Sequence, residues 1–574
     1  MSTTRTSVKA LALIAGSVLA LTACASGSSS TGPSATDSVT TAPITFTWGY
    51  EQEFSSYNNN TADTGAAANT VVMNQVQRGF ANFAPDGKVV PDTEYGTFEK
   101  TADDPLTVKY TFADKAAWSD GNPLDCDDAV MAWLSRANVS TDKGWSAIST
   151  TGYEDMNKPA CKDGEKTFTV TYKKKYADWQ ASFFNQDILP AHLVEKGSSV
   201  ADLIAAADAP TGADSLKAAA YYNTAWKLNP GELKPEIMPS AGPYTISKWD
   251  AGQSITLTAN DKWWGTPPKA QTIVIRFLAG DAMVQALQNG EIDAMNPQPQ
   301  VELVNQLKAA GDKVKFSTAD QYTFEHFDFN FKGTFADKNL REAFAKCIPR
   351  QQIVDNLIKP QNADAKILQS RFVFPFNAPY SDFEASVGGE KYNTVDVAGA
   401  KTLVDASGVK APIQVRIGWR KDPAALNKRR VDTIALLQAS CKGAGFNVVD
   451  AGTPDFFDKG LPDGNFDVAL FAWTGSPLVA ANKSIYTTGG GQNNYEYSNK
   501  AVDADLDSLA QEIDTDKQLV LLKKLDTALW TDLATIPLFA FPGILGTEPN
   551  VQGVEFNSTQ QDLTWNAYEW SKAG

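Results

Sequence analysis

From residue 44 onward, strand-like and helix-like patterns alternate along the chain, and no spacing between them repeats. A solenoid or propeller would show a fixed period, so neither is expected. Alternation of this kind favours α/β lobes with mixed sheets. Apolar positions Ala67, Val71, Val72, Val76 and Phe80 predict a helix within 64–83. Strand patterns at 106–112 and 166–172 flank a predicted helix from Asp125 to Ala137, whose first turn carries the acidic residues that a helix N-terminus favours. Tyr244–Trp249 and Ser254–Thr258 alternate on either side of Asp250-Ala251-Gly252-Gln253, which predicts a hairpin. Helices are expected at 201–226, 337–347, 350–358, 396–406, 426–442 and 502–533. Strands are expected at Ile413–Trp419, Phe446–Val449, Phe466–Trp473 and Ile536–Phe541. The Pro-, Gly- and Asn-rich stretch 360–394 reads as a long surface connection. A chain of 574 residues argues for several domains at roughly 150 residues each.

The N-terminus reads as a targeting signal. Arg5 and Lys9 precede the apolar run Ala10–Ala20, which falls short of the roughly 20 residues a membrane span needs. Leu21-Thr22-Ala23-Cys24 resembles the lipobox of bacterial lipoproteins, which implies lipidation at Cys24 and residues 1–23 as the signal peptide. Residues 24–43 are small and polar without apolar periodicity, a flexible stalk rather than a domain. Export favours oxidation of the remaining cysteines, Cys126, Cys161, Cys347 and Cys441. Four cysteines allow three pairings; the expected one is the un-nested choice, Cys126–Cys161 with Cys347–Cys441.

Composition narrows the function. With 51 Lys and Arg against 67 Asp and Glu, the net charge of -16 repels phosphate backbones, so no nucleic-acid partner is expected. The two histidines, His192 and His326, leave little room for a His-based triad or a zinc site. No nucleophile elbow, Walker A loop or HExxH sequence occurs, and neither catalysis, a cofactor nor a metal site is expected. Aromatic residues make up 10% of the chain, and most belong to cores. Trp473 differs, because it ends a buried-looking strand and opens onto Thr474-Gly475-Ser476-Pro477. A large amphipathic ring at a strand end, followed by small polar residues, is a common arrangement in α/β ligand clefts.

Several segments carry a family resemblance. Val76–Pro91 pairs a helix-like stretch with an Asp86-Gly87 turn. Tyr110-Thr111-Phe112, Trp118-Ser119-Asp120-Gly121 and Asp127-Asp128-Ala129-Val130 form a recognisable signature. Gly242-Pro243-Tyr244, Leu287–Ala294, Phe327–Phe344 and Tyr497–Asp503 follow in order. Together they resemble the family 5 extracellular solute-binding proteins of ABC importers, of the large peptide-binding type, in the style of actinobacterial lipoprotein members. The resemblance implies an α/β, two-lobed periplasmic-binding-protein fold with three domains, mixed sheets and an interlobe cleft. Domain I is then assembled from 44–86, 240–322 and 541–574, domain II from 87–239 and domain III from 323–540. It also implies a monomer, held by its lipid at the outer face of the cell membrane. That monomer captures peptides or modified peptides and delivers them to the permease subunits of an importer by a hinged closure of its lobes. A sugar, a glycolipid or another small organic molecule is the alternative solute.

In oligopeptide binders of this family an Asp a few residues after the Trp pairs with the peptide's ammonium. Here the stretch reads Trp473-Thr474-Gly475-Ser476, without an acid. Recognition by stacking and neutral hydrogen bonds is therefore expected. The ligand-binding candidates are Trp473, Thr474, Gly475 and Ser476, the amides of Asn493 and Asn494, and Glu51, Glu53 and Tyr57 after the first strand. Either glutamate could serve as a substitute anchor for the amine.

Overall fold

The computed structural model describes residues 43–137, 144–423 and 426–573. The signal-peptide assignment, Cys24 and the stalk up to residue 42 lie outside the described residues. The strands that organise the molecule are β1 (Thr45–Tyr50), β2 (Gly96–Asp103), β3 (Leu106–Phe112), β4 (Thr167–Thr171), β5 (Tyr244–Asp250), β6 (Ser254–Ala259) and β7 (Thr272–Phe277). They continue with β8 (Ala294–Met295), β9 (Lys315–Phe329), β10 (Ile413–Gly418), β11 (Phe446–Asp450), β12 (Val468–Trp473) and β13 (Thr535–Thr547). Ten of them form one mixed sheet in the order β11-β10-β12-β9-β13-β8-β1-β7-β6-β5, and β2-β3-β4 form a separate antiparallel sheet.

Two main cores accompany this sheet. The first gathers Phe46 and Trp48 of β1 with Trp118, Trp226 and the C-terminal Trp570. The second gathers Phe327, Phe329, Trp419, Leu470 and Trp530. The fold is the two-lobed periplasmic-binding-protein architecture with mixed sheets, as the sequence resemblance implies.

The long strands β9 and β13 join the two halves of the sheet. Lys315–Asp320 pair with Pro542–Thr547, and Phe324–Asp328 pair with Thr535–Ala540, with the register broken between Asp320 and Phe324. β13 is buried residue after residue, as a strand covered on both faces requires, whereas β9 is continuously buried only from Phe324 onward.

The family signature is structural. Asp128 is fully buried, and its carboxylate accepts from the Trp118 indole at 3.1 Å, from Asp125 N at 3.3 Å and from Ala191 N at 2.8 Å. The motif thus ties a loop to the starts of two helices. The next residue back from the pair, Cys126, is bonded to Cys161, and Cys347 is bonded to Cys441 at the end of the helix Lys428–Cys441.

Two expectations are corrected. The pattern at 64–83 yields a helix only over Ala67–Met73, followed by turns and a short strand, Ala81–Phe83. Tertiary bonds outcompete helix continuation there. Asn74 donates to Gln561 O at 2.6 Å, Gln75 to Thr564 O at 2.9 Å and Gln77 to Tyr57 O at 3.0 Å. Gly79 packs so closely that a Cβ would lie 2.3 Å from Phe184 O. The stretch 360–394 is not a surface connection throughout, because Gln369–Phe374 are buried. Arg371, fully buried, pairs with Asp526 at 2.9 Å, donates to Thr535 Oγ1 at 2.5 Å and lies 4.7 Å from the Trp530 ring centroid. Its polar composition serves an internal ion pair rather than solvent.

Candidate ligand cavity

Chain regions far apart in sequence converge on a cavity of about 420 Å³. The end of β1 brings Tyr50, Glu51 and Gln52, and the turn after β8 brings Asn296-Pro297-Gln298-Pro299. The break in the β9 ladder contributes Gln321-Tyr322-Thr323, with Phe541 of β13 beside it. Thr474-Gly475 follow β12, and Asn557–Gln560 with Asp562 come from the C-terminal return. The loop after β12 crosses so close to β9 that a Cβ on Gly475 would sit 2.1 Å from Tyr322 O, which accounts for the glycine.

The lining is polar and bears negative charge. Asp562 sits at φ 55° and ψ -162°, a backbone region that residues other than glycine rarely occupy. Its carboxylate accepts from Leu563 N at 2.6 Å and from the Asn296 side chain. Burial pushes its carboxyl up to about 6, opposed by those two donors. Burial also raises Glu51, opposed by a backbone donor at Gln298. The Tyr50 phenol is raised by burial and then by the fields of Asp562 and Glu51, which shows that the two carboxylates share one neighbourhood. Tyr322 is fixed by donating to Asp86 O at 2.9 Å and accepting from Asn377 at 3.0 Å.

A cation lies against one lining residue. The Arg429 guanidinium lies 4.3 Å from the ring centroid of the lining residue Phe541 and 5.7 Å from that of Phe539. Its Nε is buried and has no hydrogen-bond partner among the described residues. The neighbouring Arg430 takes Glu325 with two bonds, at 2.6 and 3.1 Å.

Of the residues singled out in the sequence, Glu51, Thr474 and Gly475 line this cavity. Trp473 stands just before it, half-buried, with its ring parallel to His326 at 6.0 Å and edge-on to Phe471 at 5.0 Å. Its indole N–H is buried without a partner. The Ser476 hydroxyl accepts from Leu478 N at 3.2 Å and shapes the loop.

The other candidates are drawn elsewhere. Glu53 accepts from the Trp249 indole at 2.9 Å and from Gly252 N at 2.8 Å, so its charge holds the β5–β6 hairpin. Tyr57 is fully buried in the first core and donates to the Pro239 carbonyl. Asn493 donates to Thr487 O at 2.9 Å and Tyr497 O at 2.8 Å, while Asn494 lines a different cavity with Lys332, Arg416 and Asp467. Sequence reasoning missed Asp562, Asn296 and Arg429. Only the Pro alternation at 297–299 marked one of these segments as irregular.

Comparison with known proteins decides the family. Residues 92–495 match the model for bacterial extracellular solute-binding proteins, family 5 middle region. The chain belongs to this family. A lipoprotein of Mycobacterium tuberculosis is 27% identical over 536 residues, covering 90% of this chain and 91% of its own. The oligopeptide-binding protein OppA of the same species is 28% identical over 482 residues, covering 80% and 73%. Among solved structures, a periplasmic EDTA-binding protein, EppA, superposes with a TM-score of 0.80 at 21% identity, over 94% of this chain and all of its own. AppA of Bacillus subtilis, solved with a nonapeptide, gives 0.69 at 18% identity, over 93% and 100%. Members of this family are solute-binding transport proteins rather than enzymes. This one is an extracytoplasmic receptor that delivers a small ligand to an ABC importer.

Proposed function

We propose that the solute is a short peptide or modified peptide, held end to end by charges of opposite sign. The observation that carries this reading is the placement of Glu51 and Asp562 in the cavity, with Arg429 stacked on its wall at Phe541. A peptide's ammonium fits the two carboxylates, and its carboxylate fits a guanidinium whose Nε lacks a partner. Between them, the amides and hydroxyls of Asn296, Gln298 and Asn557–Gln560 suit peptide carbonyls and N–H groups. The acid missing from Trp473–Ser476 is replaced in this reading by acids from other parts of the chain, so a salt bridge to the amine returns. Resemblance to an oligopeptide-binding protein over most of the chain supports the same class. We further propose the three-domain division given above, a lipid on Cys24 and partnership with the permease subunits.

The test is calorimetry of matched tripeptides with free and acetylated N-termini. Acetylation should cost about 2 kcal/mol or more, as expected when one partner of a desolvated charge pair is removed, and Glu51→Gln should cost a similar amount with the free peptide alone. Equal affinity for both peptides would remove the amine anchor. If neither binds, the solute is a non-peptide organic molecule.

A further inference from the structure

Away from the ligand cavity, a contact among the described residues joins the segment 87–239 to the segment that carries the binding loop. Asp178 belongs to the first lobe's side, next to Tyr176 and Trp179, which pack with the first core. Its carboxylate accepts from Val479 N at 3.1 Å through Oδ1 and from Ala480 N at 2.9 Å through Oδ2. Those two amides open the short 3-10 turn Val479–Asn482, which begins three residues after Ser476. Ala177 N adds a bond to Ala510 O at 2.9 Å.

The packing follows the same line. Ala480 is buried within the first core, and Ala510 packs against it, whereas Ile485, Tyr486, Leu506 and Leu509 on either side belong to the second core. A cavity of about 410 Å³ opens beside the contact, with Glu154, Lys175 and Tyr176 on one wall and Ser484, Thr487 and Gln511 on the other. The two surfaces are therefore not flush. One place where they meet is built from a carboxylate and two small residues.

We propose that Asp178 is a positioning residue for solute capture: it latches the closed arrangement by holding the turn that follows the binding loop Thr474–Ser476. With both oxygens engaged, the carboxylate satisfies two amides that the start of a helical turn leaves open. The Ser476 hydroxyl accepts from Leu478 N at 3.2 Å, so the loop and the latched turn are continuous through hydrogen bonds. Opening the lobes breaks both Asp178 bonds at once and releases the loop from the far side. This holds whichever solute is bound, and it stands or falls apart from the peptide reading.

The test is hydrogen exchange on the ligand-free, full-length exported protein, in wild type, Asp178→Ala and Asp178→Asn. In wild type the Val479 and Ala480 amides should exchange slowly. In Asp178→Ala both should exchange about tenfold faster or more, while amides of β10 and β1 keep their protection. Asp178→Asn retains one acceptor oxygen and should restore the protection of one amide only. That pattern separates a latch from a general loss of stability. Rapid exchange of both amides in wild type, equal rates in wild type and Asp178→Asn, or uniform acceleration across both cores would overturn the proposal. If Asp178→Ala does not fold, the comparison of Asp178→Asn with wild type carries the decision.

Discussion

At the scale of single residues, the cavity is governed by where its carboxylates titrate. Burial raises Asp562 to about 6. A bound ammonium selects the ionised form, so binding of a free-amine peptide should pull that proton off. Affinity should therefore hold above pH 7 and fall as the pH drops through 6 towards 5, where the protonated form dominates. Calorimetry in two buffers of different ionisation enthalpy should show proton release near pH 6, and Asp562→Asn should abolish it. Unchanged affinity between pH 7 and 5 would take Asp562 out of the recognition. The place of Thr474 and Gly475 at the cavity wall was legible from sequence because they sit in a local motif at the end of a strand. Asp562 was not, since nothing near it marks a site; only the return of the chain after β13 brings it beside β1. Glu53 misled for the converse reason. Its position after β1 is right, but the Trp249 indole and the Gly252 amide claim its carboxylate.

Elements were legible where the pattern is strictly local. The β5–β6 hairpin and the helix Cys126–Ala137 follow from alternation, turn residues and acidic first-turn positions. The helix expected through 83 failed because side chains of Asn74, Gln75 and Gln77 bond to loops hundreds of residues away or to other turns. No window of sequence contains that competition. The disulfides act at this scale, since Cys347–Cys441 ties the helix Lys338–Cys347 to Lys428–Cys441 across a separation of 94 residues. On the chain-entropy model a loop of that size contributes about 4 to 5 kcal/mol. The double variant Cys347→Ser/Cys441→Ser should lose a few kcal/mol in urea unfolding followed by circular dichroism. A midpoint equal to wild type would show that the bridge adds no net stability.

For the whole molecule, the order of segments explains why no linker separates the lobes: the chain crosses between the halves of the sheet on β9 and again on β13. Anchoring belongs to this scale as well. Cys24→Ala should move the protein from the membrane fraction to the soluble fraction of fractionated cells, and equal membrane association of the two forms would defeat the lipobox reading. The lapse in pairing between Asp320 and Phe324 has a consequence for signalling. Gln321, Tyr322 and Thr323 at that lapse are also cavity wall. The place where β9 and β13 part is thus also a wall of the cavity proposed for the solute. A guest that bonds to those three residues would brace a stretch that β13 leaves unpaired and that Tyr322 N already ties to Ser558 O at 3.0 Å. On the proposed reading, a loaded receptor would be the stiffer one, and a permease that grips both lobes would sense the load as resistance to bending.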